Sequence, residues 1–263
     1  SFLIDGVEAN DPYGINSNGV AALRSPIPIE AVESLDIQLN PFDVRRSNFT
    51  GALINAVTKS GGNKYRGSVF YELTNDDLRG KNPRTGAKEA LDERTYGINV
   101  SGPILKNRLF FAFSYEDFER ETASPAPGFI FNAASVALVN QVIAHAKTLG
   151  YDAGSLTGAS GNIAAQKTYL GKVDWNISDS HRVSLSYRKN EGTTPIFSGA
   201  TSTTGNSLSN YWYDQPRNNK SYTAQVFSQW TSDLRTEISY SNSKYEASPS
   251  NRGKPFPSVG IGD

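Results

Sequence analysis

The sequence predicts an all-β chain, most of it about seven antiparallel strands of a larger transmembrane β-barrel. Three observations carry this. From residue 65 onward, apolar and polar side chains alternate in segments of about ten residues. The connections between segments are by turns short and long. Each segment also places a tyrosine on one side, towards one end. A tilted strand of ~10 residues crosses a bilayer core, and alternation is what two unlike solvents on its two faces demand.

The first sixty residues follow another rule. Apolar stretches occur at Phe2-Leu3-Ile4, at Ile29 to Gln38 and at Ala52-Leu53-Ile54-Asn55-Ala56-Val57. The last is almost unbroken, as expected of a strand enclosed on both faces. Ser60-Gly61-Gly62-Asn63 then interrupts the chain as a flexible hinge, and alternation begins.

The predicted strands are 65–74, 94–102, 109–118, 168–177, 182–189, 221–230 and 234–243. In 168–177, Tyr169, Val173, Trp175 and Ile177 oppose Lys172, Asp174 and Asn176; in 182–189, Val183, Leu185 and Tyr187 oppose Ser184, Ser186 and Arg188. Short links join the second strand to the third, the fourth to the fifth and the sixth to the seventh; the others, 75–93, 119–167 and 190–220, are long. Outer-membrane barrels have tight periplasmic turns and extended extracellular loops.

On the outward parity, nearest the long-loop end, stand Tyr71, Tyr96, Tyr115, Tyr169, Tyr187, Tyr222 and Tyr240; Trp175 and Trp230 stand near the short-turn end. Such rings favour the headgroup level, so these nine are expected to form membrane-interface girdles. On the inward parity, Lys172, Asp174, Asn176, Arg188, Gln225, Gln229, Arg235 and Glu237 would line a lumen or pack against whatever fills it.

Within the second long connection, Val139, Val142, Ile143, Ala146 and Leu149 fall at helical spacing, with Ser135 as N-cap and Gly150 just past the end. His145 on this helix has no second histidine at ligand spacing, and His181 in a short turn is read as structural. The stretch 198–210 reads as a polar loop tip.

Composition agrees. The chain has 263 residues, 26 basic against 26 acidic, which gives no bulk electrostatic case for nucleic acid. It has no cysteine, which excludes disulfides, thiol nucleophiles and sulfur-bound metals. There is no methionine, and Ser1-Phe2-Leu3-Ile4 has no signal-peptide character, so the chain reads as an internal piece of something longer. No apolar run approaches the ~20 residues of a membrane helix. No nucleophile elbow, phosphate loop or EF-hand spacing appears, so no enzyme activity and no cofactor are expected.

Three motifs carry a resemblance. Ile4-Asp5-Gly6, Ile29-Glu30 through Ile37, and Gly51 through Lys59 stand in the order found at the end of the plug domain of TonB-dependent outer-membrane transporters. Asn40-Pro-Phe-Asp-Val-Arg-Arg46 and Asn55-Ala-Val-Thr-Lys-Ser-Gly61 most resemble the Oar-like branch. The chain departs from the family at Leu39-Asn40-Pro41, where many members carry Arg-Gly-Pro, and at Gly51-Ala52, where Gly-Gly is usual.

The resemblance implies that residues 1–62 are the C-terminal part of an α+β plug and 63–263 the first strands of a barrel, usually of 22, in a Gram-negative outer membrane. It implies import of an extracellular substrate powered by a TonB-type protein acting on a box before Ser1. Asp11 and Tyr13, in the polar stretch after the Asp5-Gly6 turn, are the candidates for an apical substrate contact. The alternatives are a passive or adhesive outer-membrane barrel using its loops for surface contact, and a secreted all-β binding module.

Overall fold

The computed structural model describes residues 1–39, 52–83, 86, 88, 90–123, 132–156, 162–200 and 207–254. The motif at 40–46, Gly51 and the tip of the 198–210 loop therefore lie outside the described residues.

Two sheets make up the fold. The smaller contains β1 (Phe2–Ile4), β2 (Val7–Glu8), β3 (Val32–Leu39) and β4 (Ala52–Thr58), in the order β2-β1-β4-β3. β1 and β2 form a hairpin turned by Asp5 and Gly6, both at positive φ (49° and 81°). A tight turn of this hand needs left-handed backbone, which glycine and aspartate tolerate. β4 lies between β1, parallel to it, and β3, antiparallel to it. Leu53, Ala56 and Thr58 are fully buried and the other β4 side chains half-buried, as the unbroken apolar run requires. A small core of Ile4, Ala9, Ile27, Ala31 and Ala56 closes against Leu170 of the larger sheet.

That larger sheet is the wall. Its strands are β5 (Arg66–Asn75), β6 (Leu91–Leu105), β7 (Leu109–Thr122), β8 (Ile163–Asn176), β9 (His181–Ile196), β10 (Tyr213–Gln229) and β11 (Arg235–Glu246). They run as an uninterrupted antiparallel meander, each paired with its sequence neighbours. All seven predicted strands are present, but most extend at the long-loop end beyond the predicted ten residues. There Glu93, Glu119 and Arg120 continue the ladder with paired charges, Arg94 to Glu119 at 2.9 Å and Arg120 to Glu93 at 2.5 Å. Hydrophobic alternation stops at those charges while the backbone ladder goes on. A further strand, β12 (Ser250–Asn251), pairs with β10 and has no alternation to betray it.

The helix α1 (Ala133–Thr148) forms where expected, but Asn132 rather than Ser135 is its N-cap: the Asn132 side chain accepts a hydrogen bond from the Ser135 backbone N–H at 2.8 Å. Gly150, at φ 83°, follows its C-terminal end as predicted. Val139 and Ala146 are buried, Val142 and Ile143 half-buried, and Leu149 is exposed. His145 lies exposed on the surface.

The exit from the small sheet is not the loose hinge its glycines suggested. A Cβ on Gly61 would fall 2.4 Å from the Phe111 carbonyl oxygen and 2.8 Å from that of Gly102, so the backbone passes tightly against β6 and β7. Asn63 clamps the β6–β7 turn: its Nδ2 donates to Asn107 Oδ1 at 2.6 Å, and its Oδ1 accepts from Asn107 N–H at 2.7 Å. Of this glycine pair, Gly62 has open space around it and Gly61 does not.

Candidate functional site: the inner junction and the outer belt

The wall's two faces meet different surroundings. On β8, β9 and β10, Gln166, Thr168, Lys172, Asp174, Ser184, Arg188, Asn190, Arg217, Asn219 and Gln225 are all buried, although every one is polar or charged. They share the inward parity, and the small sheet with its loops covers them. Burying such groups is tolerable only when they are hydrogen-bonded or paired, and their partners come largely from the first sixty residues.

Asp5 is the centre of this junction. Its carboxylate accepts from Thr58 N–H at 2.8 Å and from Thr58 Oγ1 at 2.6 Å, so the turn of the first hairpin caps the end of β4. Lys172 of β8 then approaches Asp5 Oδ2 at 3.4 Å and donates to Thr58 Oγ1 at 3.1 Å. Gln225 of β10 donates to the Asp5 carbonyl at 3.1 Å. One hairpin turn is thereby joined to two wall strands.

A second contact line lies nearer the long loops. Gln166 donates to the Ser25 carbonyl at 2.8 Å and accepts from Arg24 N–H at 2.9 Å, while Asn190 donates to the Pro26 carbonyl at 3.1 Å. The Arg24 guanidinium lies 4.1 Å from the centre of the Phe118 ring, a cation–π contact that uses β7 as well.

Asp11 folds its own loop. Its carboxylate accepts from Tyr13 N–H at 2.9 Å, Asn16 N–H at 2.7 Å and Asn16 Nδ2 at 3.0 Å. Asn16 also donates to the Tyr245 hydroxyl at 2.9 Å and accepts from Arg217 Nε. Tyr13, 67% exposed, stacks on Tyr245 of β11 with ring centres 5.9 Å apart.

Among the predicted inward groups, Asn176 is half-buried, and Gln229, Arg235 and Glu237 are exposed. These last lie on the edge strand β11 or next to a short turn, where nothing described covers them. Asn190, Gln166 and Arg217 were not foreseen. They lie beyond the predicted strand ends, and only the inward parity extended past Arg188 and Thr168 could have indicated them.

The opposite parity carries the tyrosines. Tyr71, Tyr96, Tyr222 and Tyr240 are exposed, and Tyr115, Tyr169 and Tyr187 are half-covered by their neighbours. Tyr115 packs on Tyr169 at 4.9 Å and Tyr187 on Tyr222 at 5.0 Å between ring centres. Their register has a pattern. Tyr71 pairs with Tyr96, Tyr115 with Tyr169 and Tyr187 with Tyr222, directly across the ladder. At the intervening hairpins, Tyr115 faces Ile98, Tyr187 faces Gly171 and Tyr240 faces Ala224. Each of these steps runs two residues towards the short-turn end. A level line drawn across tilted barrel strands must shift register in one constant direction. Trp175 and Trp230 are exposed near the short turns, Trp230 against the His181 ring at 4.9 Å.

Among the described residues no group of histidine, cysteine and carboxylate side chains is arranged to hold a metal. No helix of the described residues is long and apolar enough to cross a membrane, which has no bearing on crossing by strands.

A family model described as an outer membrane beta barrel domain matches residues 57–133. The chain is 34% identical over 119 residues to the TonB-dependent transporter Oar of Myxococcus xanthus, a stretch that is 42% of this chain and 11% of that protein. Two solved structures share the fold. The siderophore receptor PirA from Acinetobacter baumannii matches 93% of this chain and 32% of its own, with TM-score 0.60 and 19% identity. The outer membrane transporter YddB from Escherichia coli matches 92% and 31%, with TM-score 0.56 and 13% identity. The chain thus spans about a tenth of the curated relative and a third of each solved neighbour. With a small sheet docked on the inner face of an open antiparallel wall, the chain has the fold of part of an outer-membrane β-barrel, and over part of its length it is similar to a TonB-dependent transporter, Oar.

Proposed function

We propose that the whole protein to which this chain belongs imports an extracellular substrate with energy relayed by TonB, acting on a box upstream of Ser1. In this reading residues 1–62 end the plug and 63–263 begin the barrel. The observation that carries it is the character of the inner junction. The plug meets the wall mainly through hydrogen bonds and charge, at Asp5–Lys172, Gln166–Ser25 and Asn190–Pro26, and only marginally through apolar packing. Contacts of that kind exchange with water when pulled apart, whereas a shared apolar core would resist a modest force.

The tyrosines Tyr71, Tyr96, Tyr115, Tyr169, Tyr187, Tyr222 and Tyr240 form the outer-leaflet girdle, and Trp175 and Trp230 the opposite one. The constant register step supports a level belt. Tyr13 presents its ring to substrate at the loop end, and Asp11 positions it through the Tyr13 N–H. The substrate is an extracellular solute, bound by the long loops and the plug apex.

The test is uptake by cells carrying the full protein, with and without TonB. Loss of uptake without TonB is the expected result. Uptake that survives indicates a passive barrel instead.

A further inference from the structure

Arg217, on the inner face of β10 towards the long loops, is a buried cation without a counter-ion. It is 9% exposed, and no carboxylate of the described residues forms an ion pair with it. Lys172, the buried cation lower on the same face, has Asp5 at 3.4 Å. Arg217 Nε donates to Asn16 Oδ1, while its Nη1, enclosed by protein, has no partner at all. A charge taken out of water is costly unless paired and hydrogen-bonded, so this guanidinium is ready for an anion.

Asn16 keeps that charge from the carboxylate beside it. Its Oδ1 accepts from Arg217, and its Nδ2 donates to Asp11 Oδ2 at 3.0 Å, so a neutral amide bridges two opposite charges that do not touch. Asp11 is committed to its own loop, through the Tyr13 and Asn16 N–H groups. The same bridge reaches an aromatic pair. Asn16 Nδ2 also donates to the Tyr245 hydroxyl at 2.9 Å, and the Tyr245 ring stacks on Tyr13, with planes 23° apart. Tyr245 stands opposite Asn219, two residues along β10 from Arg217. Tyr13 is 67% exposed, so the ring face turned away from Tyr245 is open. An open aromatic face and an unpaired guanidinium thus share one asparagine.

We propose that this site takes a solute carrying a carboxylate on a flat ring. The ring would lie on Tyr13, and the carboxylate would replace the Asn16 amide oxygen as acceptor at Arg217, using the Nη1 that has no partner. The planar guanidinium fork matches a carboxylate, and a tyrosine face accepts a ring of either aromatic or sugar type. Asn16, once displaced, keeps Asp11 and Tyr245 as partners through its Nδ2. This site deepens the proposed function, resting on its placing of substrate at the loop end, and names the substrate class.

The test is a ligand-observed NMR titration of the full-length protein in detergent, without TonB, using benzoate, glucuronate, benzamide and acetate. The first two carry one carboxylate on an aromatic and on a sugar ring; benzamide keeps the ring without the charge, and acetate the charge without the ring. At least one of the first two is expected to bind about tenfold more tightly than benzamide and acetate, and the tighter identifies the ring. Arg217→Gln, which keeps a donor for Asn16 and removes the charge, should abolish that preference and melt no lower than wild type. Asp11→Asn removes the neighbouring negative charge and should strengthen carboxylate binding relative to benzamide about threefold. The proposal is overturned if benzamide or acetate binds as tightly as both ring carboxylates, or if Arg217→Gln keeps the preference. An Arg217→Gln protein that melts lower, or an Asp11→Asn protein with weakened preference, would also overturn it. Uptake with and without TonB is measured separately: uptake that survives without TonB removes the transport reading and leaves this binding result standing.

Discussion

Lys172 on wall strand β8 lies 3.4 Å from the carboxylate of Asp5 in the first turn of the small sheet, both almost out of reach of solvent. The same carboxylate holds Thr58 at the end of β4. Asp5→Asn keeps the shape and removes the charge, leaving the buried cations Lys172 and Arg188 with Asp174 as the remaining buried carboxylate of β8. Breaking such a pair from one side costs about 3 kcal/mol. Hydrogen exchange at the β4 amides should speed up accordingly, and adding Lys172→Met should recover part of the loss. Additive losses in the double variant would show that the two groups are not coupled.

The two neighbouring glycines should behave differently. Gly61→Ala drives a methyl into the Phe111 and Gly102 carbonyls, and the expected loss is about 1–3 kcal/mol. Gly62→Ala meets nothing and should be neutral or stabilise by about 0.5 kcal/mol. Urea unfolding of the two variants decides. Equal responses would restore the simple hinge.

How far the sequence was legible depended on which force set each feature. The wall strands were readable because the outer face and the inner face under the small sheet select opposite side chains at alternate positions, as at Lys172–Val173 and Tyr187–Arg188. β4 was readable because a central strand, covered on both faces, is mostly apolar. The strand extensions past Phe118 and Thr168 were hidden, since charges pair across the ladder there and no solvent contrast remains. Gly61 was misjudged because sequence cannot separate a glycine chosen for freedom from one chosen for close approach. Asp5 belonged to a recognised turn, yet its link to Lys172 joins residues far apart in the chain, and no local pattern reports that.

The helix in the second long loop offers a small local check. Asn132→Ala removes the cap that holds the Ser135 N–H and should cost about 1 kcal/mol, seen as faster exchange over residues 133–148. Ser135→Ala should change little, because its backbone and not its hydroxyl makes that bond.

Opposite faces should also differ in their tolerance of charge. Val226, on the outer face of β10 between Val183 and Ile238, should not accept arginine: Val226→Arg is expected to cost about 2–4 kcal/mol in folding into vesicles. Glu237→Arg, on the inward parity and exposed, should change stability by less than about 1 kcal/mol.

The most direct measurement is a spin-label scan along β10, one cysteine at a time from Asn219 to Val226, in the full-length protein in its membrane. Collision rates with oxygen, which concentrates in hydrocarbon, and with a water-soluble nickel complex should alternate with a period of two. Oxygen should dominate at Tyr222, Ala224 and Val226, and neither reagent should reach Asn219, Ser221 and Gln225 on the covered inner face. A scan without that period, or nickel access at Ala224 and Val226, would contradict an outer face in lipid and an inner face against the small sheet.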